Sequence, residues 1–287
     1  MKTWSATALN TAPDSENRIH SDELAQEYGF EGGLVPGVTI SAYLVHPLVE
    51  LWGKDWLDKG YANCRITSPL YDEELFDVKT DMIDSTRANT ILVRGNGIVS
   101  ANAEVALTEA LPPAPRLRKD KLADRDYAAP QASRTVWEQL KAEGCRSFSY
   151  SWPDDDPVIY LTDENLLPTL LQPKVGGYAN LSFLLGCSNW ILAANAFMNP
   201  WVHLQTISQN YRAVSLNSAL IAQMEINERD LSLVEFINAD LVFATGTNGE
   251  ITPVTEIDGR TVNCDNDFLE KIKNLFEAKL PSLCEPL

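Results

Sequence analysis

Gly37-Val38-Thr39-Ile40-Ser41-Ala42-Tyr43-Leu44-Val45, running on to about Trp52, is the stretch on which the reading of this chain turns. Apolar residues cover nearly the whole circumference of the helix it predicts, so no face suits water and other structure must wrap it. Pro47 stands inside the segment and removes one backbone hydrogen bond. Just upstream, Gly32-Gly33-Leu34-Val35-Pro36 supplies a glycine turn, and before that Asn17-Arg18-Ile19-His20-Ser21-Asp22 supplies an imidazole. A base ahead of the turn that opens a buried helix is set to lie beside the unpaired N–H groups of the helix start.

Beyond this helix the pattern changes to strands. Segments 61–70, 75–83, 90–99 and 101–107 are β-rich, with the period-two run Ala101, Ala103, Val105, Leu107 and a turn signal at Asn96-Gly97. Leu111-Pro112-Pro113-Ala114-Pro115 begins a stretch rich in proline and charge up to about Ser133, which reads as a surface linker. Then the order returns. An apolar helix is expected over 178–198 behind Gly176-Gly177, followed by strands at 202–214, 219–227, 236–245 and 252–257, with Thr247-Asn248-Gly249 as a hairpin turn. Two copies of "buried helix, then antiparallel strands" imply an α+β chain in which each sheet wraps one helix. The expected division is a module over 1–110, a linker over 111–134 and a second module over 135–287.

Composition bounds the function. The 287 residues are 45% hydrophobic and 22% charged, and 23 basic against 40 acidic side chains give a net charge of −17. Such a field repels phosphate backbones, so nucleic acid is not an expected partner, and it draws no anionic coenzyme from a distance. Cys64, Cys145, Cys187, Cys264 and Cys284 are odd in number, scattered and free of metal spacing, and Met1-Lys2-Thr3-Trp4-Ser5 lacks the apolar core of a signal peptide. A reducing, cytoplasmic setting with free thiols is the expectation. The 178–198 run carries no charge, but Asn180, Ser182, Ser188, Asn189 and Asn195 interrupt it, so it reads as a buried helix and not as a membrane span.

Asn17-x-x-His20-x-Asp22-x-x-Ala25, then Tyr28-Gly29-Phe30, then Gly33-Leu34-Val35-Pro36-Gly37 resembles the MaoC-like family of R-specific enoyl-CoA hydratases and dehydratases. The motif covers about residues 14–45, and the helix-then-strands order extends it more weakly, including Pro200-Trp201-Val202-His203. The resemblance implies a hot-dog fold, doubled when two copies share one chain. It implies catalysis by His20 with a paired carboxylate, Asn17 between the two catalytic positions, and a Gly37 amide that polarises a thioester carbonyl. Pro36, Val38 and Tyr43 then fall at the substrate. No cofactor is implied, because coenzyme A or an acyl carrier belongs to the substrate; a homodimer is a further option. Three positions depart from the family. Ser15 stands five residues before His20, where the carboxylate belongs, with Asp14 and Glu16 beside it. Arg18 replaces a proline, and Pro36 replaces a histidine.

Hydration of an enoyl thioester needs a base to take a proton from water and donors for the enolate oxygen. An imidazole titrating near neutrality suits the first task, and helix-start N–H groups suit the second. A serine does not ionise near neutrality, so alternatives stay open: an isomerase, another lyase or a thioesterase on a specialised metabolite, or a non-catalytic acyl-binding module. Other residues read blandly. Asp22 caps a helix, His46 is a hydrogen-bonded core residue, and His203 opens a strand. Arg65, Lys79, Arg87 and Arg94 are solvated strand faces. Arg116, Arg118, Lys119 and Lys121 form a basic cluster in the linker, and Trp52 and Trp56 close a core.

Overall fold

A computed structural model describes residues 2–13, 20–21, 25–26, 30–109, 122–123, 128–150, 159–196, 209–216, 220–222, 243–246, 250–257, 260–261 and 269–274. Backbone contacts divide the chain into two units, Met1–Ile226 and Asn227–Leu287.

The first unit is built round helix α1 (Gly37–Trp52), in which every residue from Thr39 to Val49 is buried. Gly53, with φ +54°, ends it and leads into the short α2 (Lys54–Lys59). An antiparallel sheet packs against α1, made from β1 (Lys2–Thr7), β2 (Gly60–Ile66), β3 (Leu75–Met82), β4 (Arg87–Arg94) and β5 (Val99–Leu107), in the order β1-β3-β4-β5-β2. Alternation decides which side chains meet the helix. Phe76 and Val78 of β3, Ala88 and Leu92 of β4, and Ala101, Ala103 and Val105 of β5 join Ile40, Tyr43, Leu44 and Leu48 of α1 in one apolar core. An antiparallel sheet against a buried central helix is the α+β hot-dog arrangement.

The expected 90–99 strand is two elements. β4 ends at Arg94, Asn96-Gly97 turns the chain, and β5 starts at Val99. Gly97 sits at φ +87°, where a side chain is strained, and its N–H donates to the Arg94 carbonyl at 2.8 Å. Strand β1 is an addition to the sequence reading. It pairs with β3, Trp4 opposite Val78, so only a partner some seventy residues away makes it a strand.

Later segments of the same unit build onto this module. Helix α4 (Leu181–Asn195), preceded by α3 (Arg134–Glu143), packs against α1, and the Asn180 side chain caps it by accepting the Phe183 N–H at 2.9 Å. Strand β8 (Gln209–Asn210) extends the sheet beyond β2, with Asn210 opposite Tyr61. Strands β6 (Leu122–Ala123), β7 (Ser147–Tyr150) and β9 (Leu220–Ala222) form a separate three-stranded sheet. The segment 111–134, expected as a linker, separates no units: residues on both sides of it fall in Met1–Ile226. Its described part carries β6. Among the described residues no helix is long and apolar enough to cross a membrane.

In the second unit, β10 (Phe243–Gly246) and β11 (Glu250–Pro253) form the expected antiparallel pair, with the 247–249 turn outside the described residues. The expected 252–257 strand is broken, since β11 ends at Pro253 and β12 (Glu256–Ile257) pairs instead with β13 (Arg260–Thr261).

Candidate active site

Two anchors fix His20. The Asn10 side-chain amide, on the loop after β1, donates to the His20 carbonyl at 2.6 Å, while the Asn10 N–H donates to Asp72 Oδ1 at 2.7 Å. The ring is held by Nδ1, 2.7 Å from the Leu34 carbonyl. A carbonyl only accepts, so Nδ1 carries the proton, and the neutral ring has its lone pair on Nε2. Leu34 in turn bridges Tyr71, and the Val35 N–H donates to the Leu70 carbonyl at 2.9 Å. The strap that receives the ring is therefore stitched to the segment between β2 and β3.

Three residues beyond Leu34, Gly37 opens α1 at an exposed position. The Thr39 and Ile40 N–H groups both donate to the Pro36 carbonyl, at 2.9 and 3.0 Å, so Gly37 and Val38 lie ahead of the first intrahelical bond. Their N–H groups stand at the positive end of the α1 dipole. A Cβ on Gly37 would come within 2.9 Å of Ile66 Cδ1, so the absent side chain leaves room for Ile66 to pack against this backbone.

The other expected site residues divide. Pro36 is the buried residue preceding α1, and Val38 is half-buried beside Gly37. Tyr43 is corrected from substrate contact to core. It is fully buried, its hydroxyl accepts the Leu9 N–H at 2.8 Å, and its ring lies 4.5 Å from that of Phe76. Burial also pushes its hydroxyl well above the usual phenol range. The physical reason is depth: Tyr43 lies in the stretch of α1 that is wrapped on every side. Asp14, Ser15 and Asn17, with Asp22 and His203, lie outside the described residues.

Arg94 is a second correction. It is 7% exposed, with Nε 2.6 Å from Glu74 Oε1, Nη2 3.6 Å from Glu31 Oε2, and its guanidinium 5.0 Å over the Tyr71 ring. It thus clamps the loops on either side of the Leu34–Tyr71 bridge. The period-two inward run Ala88, Thr90, Leu92, Arg94 carries the signal for this burial. His46 behaves as the sequence indicates. Its Nδ1 lies 2.9 Å from the Tyr160 hydroxyl and its ring stacks on Trp4 at 3.8 Å. Burial lowers its pKa to about 3, although Glu50 Oε1 is 3.6 Å from Nε2; that carboxylate is half in water and screened. Trp52 stacks on the buried Trp56 at 6.3 Å. Three hydroxyls that sequence reading does not single out, Thr11, Thr39 and Ser182, form a chain beside the α1 start. Among the described residues Cys64, Cys145 and Cys187 are not joined in disulfides, and no cluster of metal-ligating side chains occurs.

No protein-family model matches the sequence. A putative branched-chain-amino-acid aminotransferase of Methanocaldococcus jannaschii is 32% identical over 127 residues, which cover 39% of this chain and 44% of that protein. The chain spans less than half the length of each curated relative it matches. The solved structures it resembles include a MaoC-like dehydratase from Phytophthora capsici, 18% identical, with TM-score 0.34 and coverage of 38% of this chain and 42% of that one. They also include the (R)-hydratase from A. caviae involved in PHA biosynthesis, 18% identical, with TM-score 0.29 and coverage of 37% and 93%. Both likenesses lie at 18% identity and cover less than two fifths of this chain.

Proposed function

We propose that the chain adds water to, or removes it from, an enoyl or 3-hydroxyacyl thioester, with His20 as base and the N–H groups at Gly37 as oxyanion donors. The observation that carries this is the 2.7 Å bond from His20 Nδ1 to Leu34, which fixes the imidazole three residues ahead of an exposed helix-opening glycine. In the hydration direction, Nε2 takes a proton from water as the water oxygen bonds to the β-carbon. The enolate charge gathers on the thioester oxygen, where the Gly37 and Val38 amides and the helix dipole stabilise it. The imidazolium then returns the proton to the α-carbon, so one water is added and the base is regenerated. Dehydration is the reverse. Pro36 and Val38 border the reacting carbonyl, and Ser15, Asp14 and Asn17 complete the water site. The thioester is borne by coenzyme A or an acyl carrier, with no separate cofactor.

A double module suits the way α4 lies against α1 and β8 continues the sheet from β2, since a second module joined edge to edge would begin there. A cytoplasmic location and a homodimer belong to the same reading.

Turnover of an enoyl-CoA panel, followed by loss of the conjugated-thioester absorbance, tests the proposal. His20→Ala is expected to lower kcat by at least about a hundred-fold, the scale of a lost general base. Wild-type protein that turns over no chain length, or a His20→Ala variant as fast as wild type, overturns it. Ser15 favours a second reading, a diverged site performing an isomerisation, another elimination or thioester hydrolysis. A large gain of hydratase turnover in Ser15→Asp supports that reading.

A further inference from the structure

Thr39 occupies the first turn of α1, two residues after Gly37, and has no exposure to solvent. Its hydroxyl lies 2.7 Å from that of Thr11 and 3.0 Å from that of Ser182. Thr11 follows Asn10, whose side chain holds the His20 carbonyl. Ser182 stands in the first turn of α4, 143 residues from Thr39 in sequence. One buried hydroxyl therefore joins the segment that anchors the imidazole, the helix start that presents the amides, and the start of the second long helix.

We infer that Thr39 is a positioning residue: its hydroxyl sets the Gly37 helix start in register with the Asn10–His20 segment and locks both to α4. The physical ground is that a hydroxyl has one donor and two acceptor sites, so a central one serves two neighbours, and a buried one left unpaired is destabilising. Neither neighbour is a solvated rotor that can substitute freely: Ser182 is buried and Thr11 is half-buried. A chain of short hydroxyl contacts also has little slack, and catalysis that depends on a base and an oxyanion donor is sensitive to displacements on the order of 1 Å. Thr39 does not touch the reacting atoms, and this role rests on the hydratase reading only for its kinetic consequence.

The test uses the full chain as wild type, Thr39→Val, which keeps the shape and removes the hydroxyl, and Thr39→Ser, which restores it. Hydrogen exchange followed by mass spectrometry reads peptides spanning 8–21 and 36–44, and steady-state kinetics are run on whichever enoyl thioester wild type uses. Thr39→Val is expected to speed exchange in both peptides at least about three-fold while the 75–107 strands stay protected. It is also expected to lower kcat about ten-fold with KM within about two-fold. Thr39→Ser is expected to return both readouts to within about two-fold of wild type. Unchanged exchange in the two peptides of Thr39→Val overturns the inference whatever the activity, as does failure of Thr39→Ser to restore them. Altered exchange in a protein that turns over no thioester upholds the positioning role and removes the hydratase reading instead.

Discussion

The buried imidazole of His46 makes the stability of this fold depend on pH in a window set by its own shift. In the unfolded chain a histidine titrates near 6.5, whereas burial holds this ring neutral down to about pH 3. Between those values the unfolded state binds a proton that the folded state refuses, so stability rises with pH across the window. The contribution is complete above about pH 6.5 and drains away as the pH falls toward 3. Each unit of separation is worth about 1.4 kcal/mol, so lowering the pH from above 6.5 to 5 removes about 2 kcal/mol through this ring alone. His46→Phe keeps an aromatic ring against Trp4 and removes the titration. It leaves the Tyr160 hydroxyl unpaired, a cost of about 1–3 kcal/mol that does not vary with pH in this range. Urea unfolding of both proteins at pH 7.5 and pH 5 is the assay, because every other titrating group cancels in the difference. Wild type is expected to lose about 2 kcal/mol more than His46→Phe over that interval, and Tyr160→Phe is expected to keep the wild-type slope. Equal losses in wild type and His46→Phe refute the reasoning, because the ring then has the same proton affinity folded and unfolded.

Arg94→Met leaves the half-buried Glu74 carboxylate without its 2.6 Å partner and is expected to destabilise the fold by about 2–4 kcal/mol; a urea-derived loss under about 1 kcal/mol contradicts the clamp. Glycine substitutions separate fold from site. An added Cβ at Gly60 meets the Trp56 carbonyl oxygen at 2.6 Å and its ring at 2.7 Å, so Gly60→Ala is expected to cost about 2 kcal/mol or more in thermal or urea unfolding. At Gly37 the same methyl meets only the tip of Ile66, which can turn aside; Gly37→Ala is expected to stay near wild-type stability while turnover of the enoyl substrate falls about ten-fold or more.

The central helix was legible to both ends, because an apolar circumference and a glycine after proline are local signals, and α1 spans Gly37–Trp52 as the letters suggest. Strand β3 was legible for the same reason, through alternation. What escaped depends on distant partners. Lys2–Thr7 becomes a strand only by pairing with β3, and Arg94 becomes a clamp only because Glu74, Glu31 and Tyr71 converge on it. Tyr43 was expected at the substrate from the family resemblance, but its place on a wrapped helix turns it inward, to the Leu9 amide and Phe76. His20 was singled out by motif spacing alone, and its 2.7 Å tether to Leu34, which depends on the path of the intervening strap, carried no signal in the letters. The Thr11–Thr39–Ser182 chain had no signal at all, since three ordinary hydroxyls acquire a role only when folding gathers them.

Strand β8 is only two residues long, yet it lies along β2 where the first sheet would otherwise end. Open backbone on a terminal strand invites pairing with any extended peptide, including a neighbour's. A fragment truncated before residue 209 therefore surrenders its own cover over Tyr61 and Ala62, and carries a sticky rim into solution. Anyone isolating the amino-terminal module for study inherits that self-association hazard, and a cut placed after Ile226 keeps both β8 and β9 in the fragment.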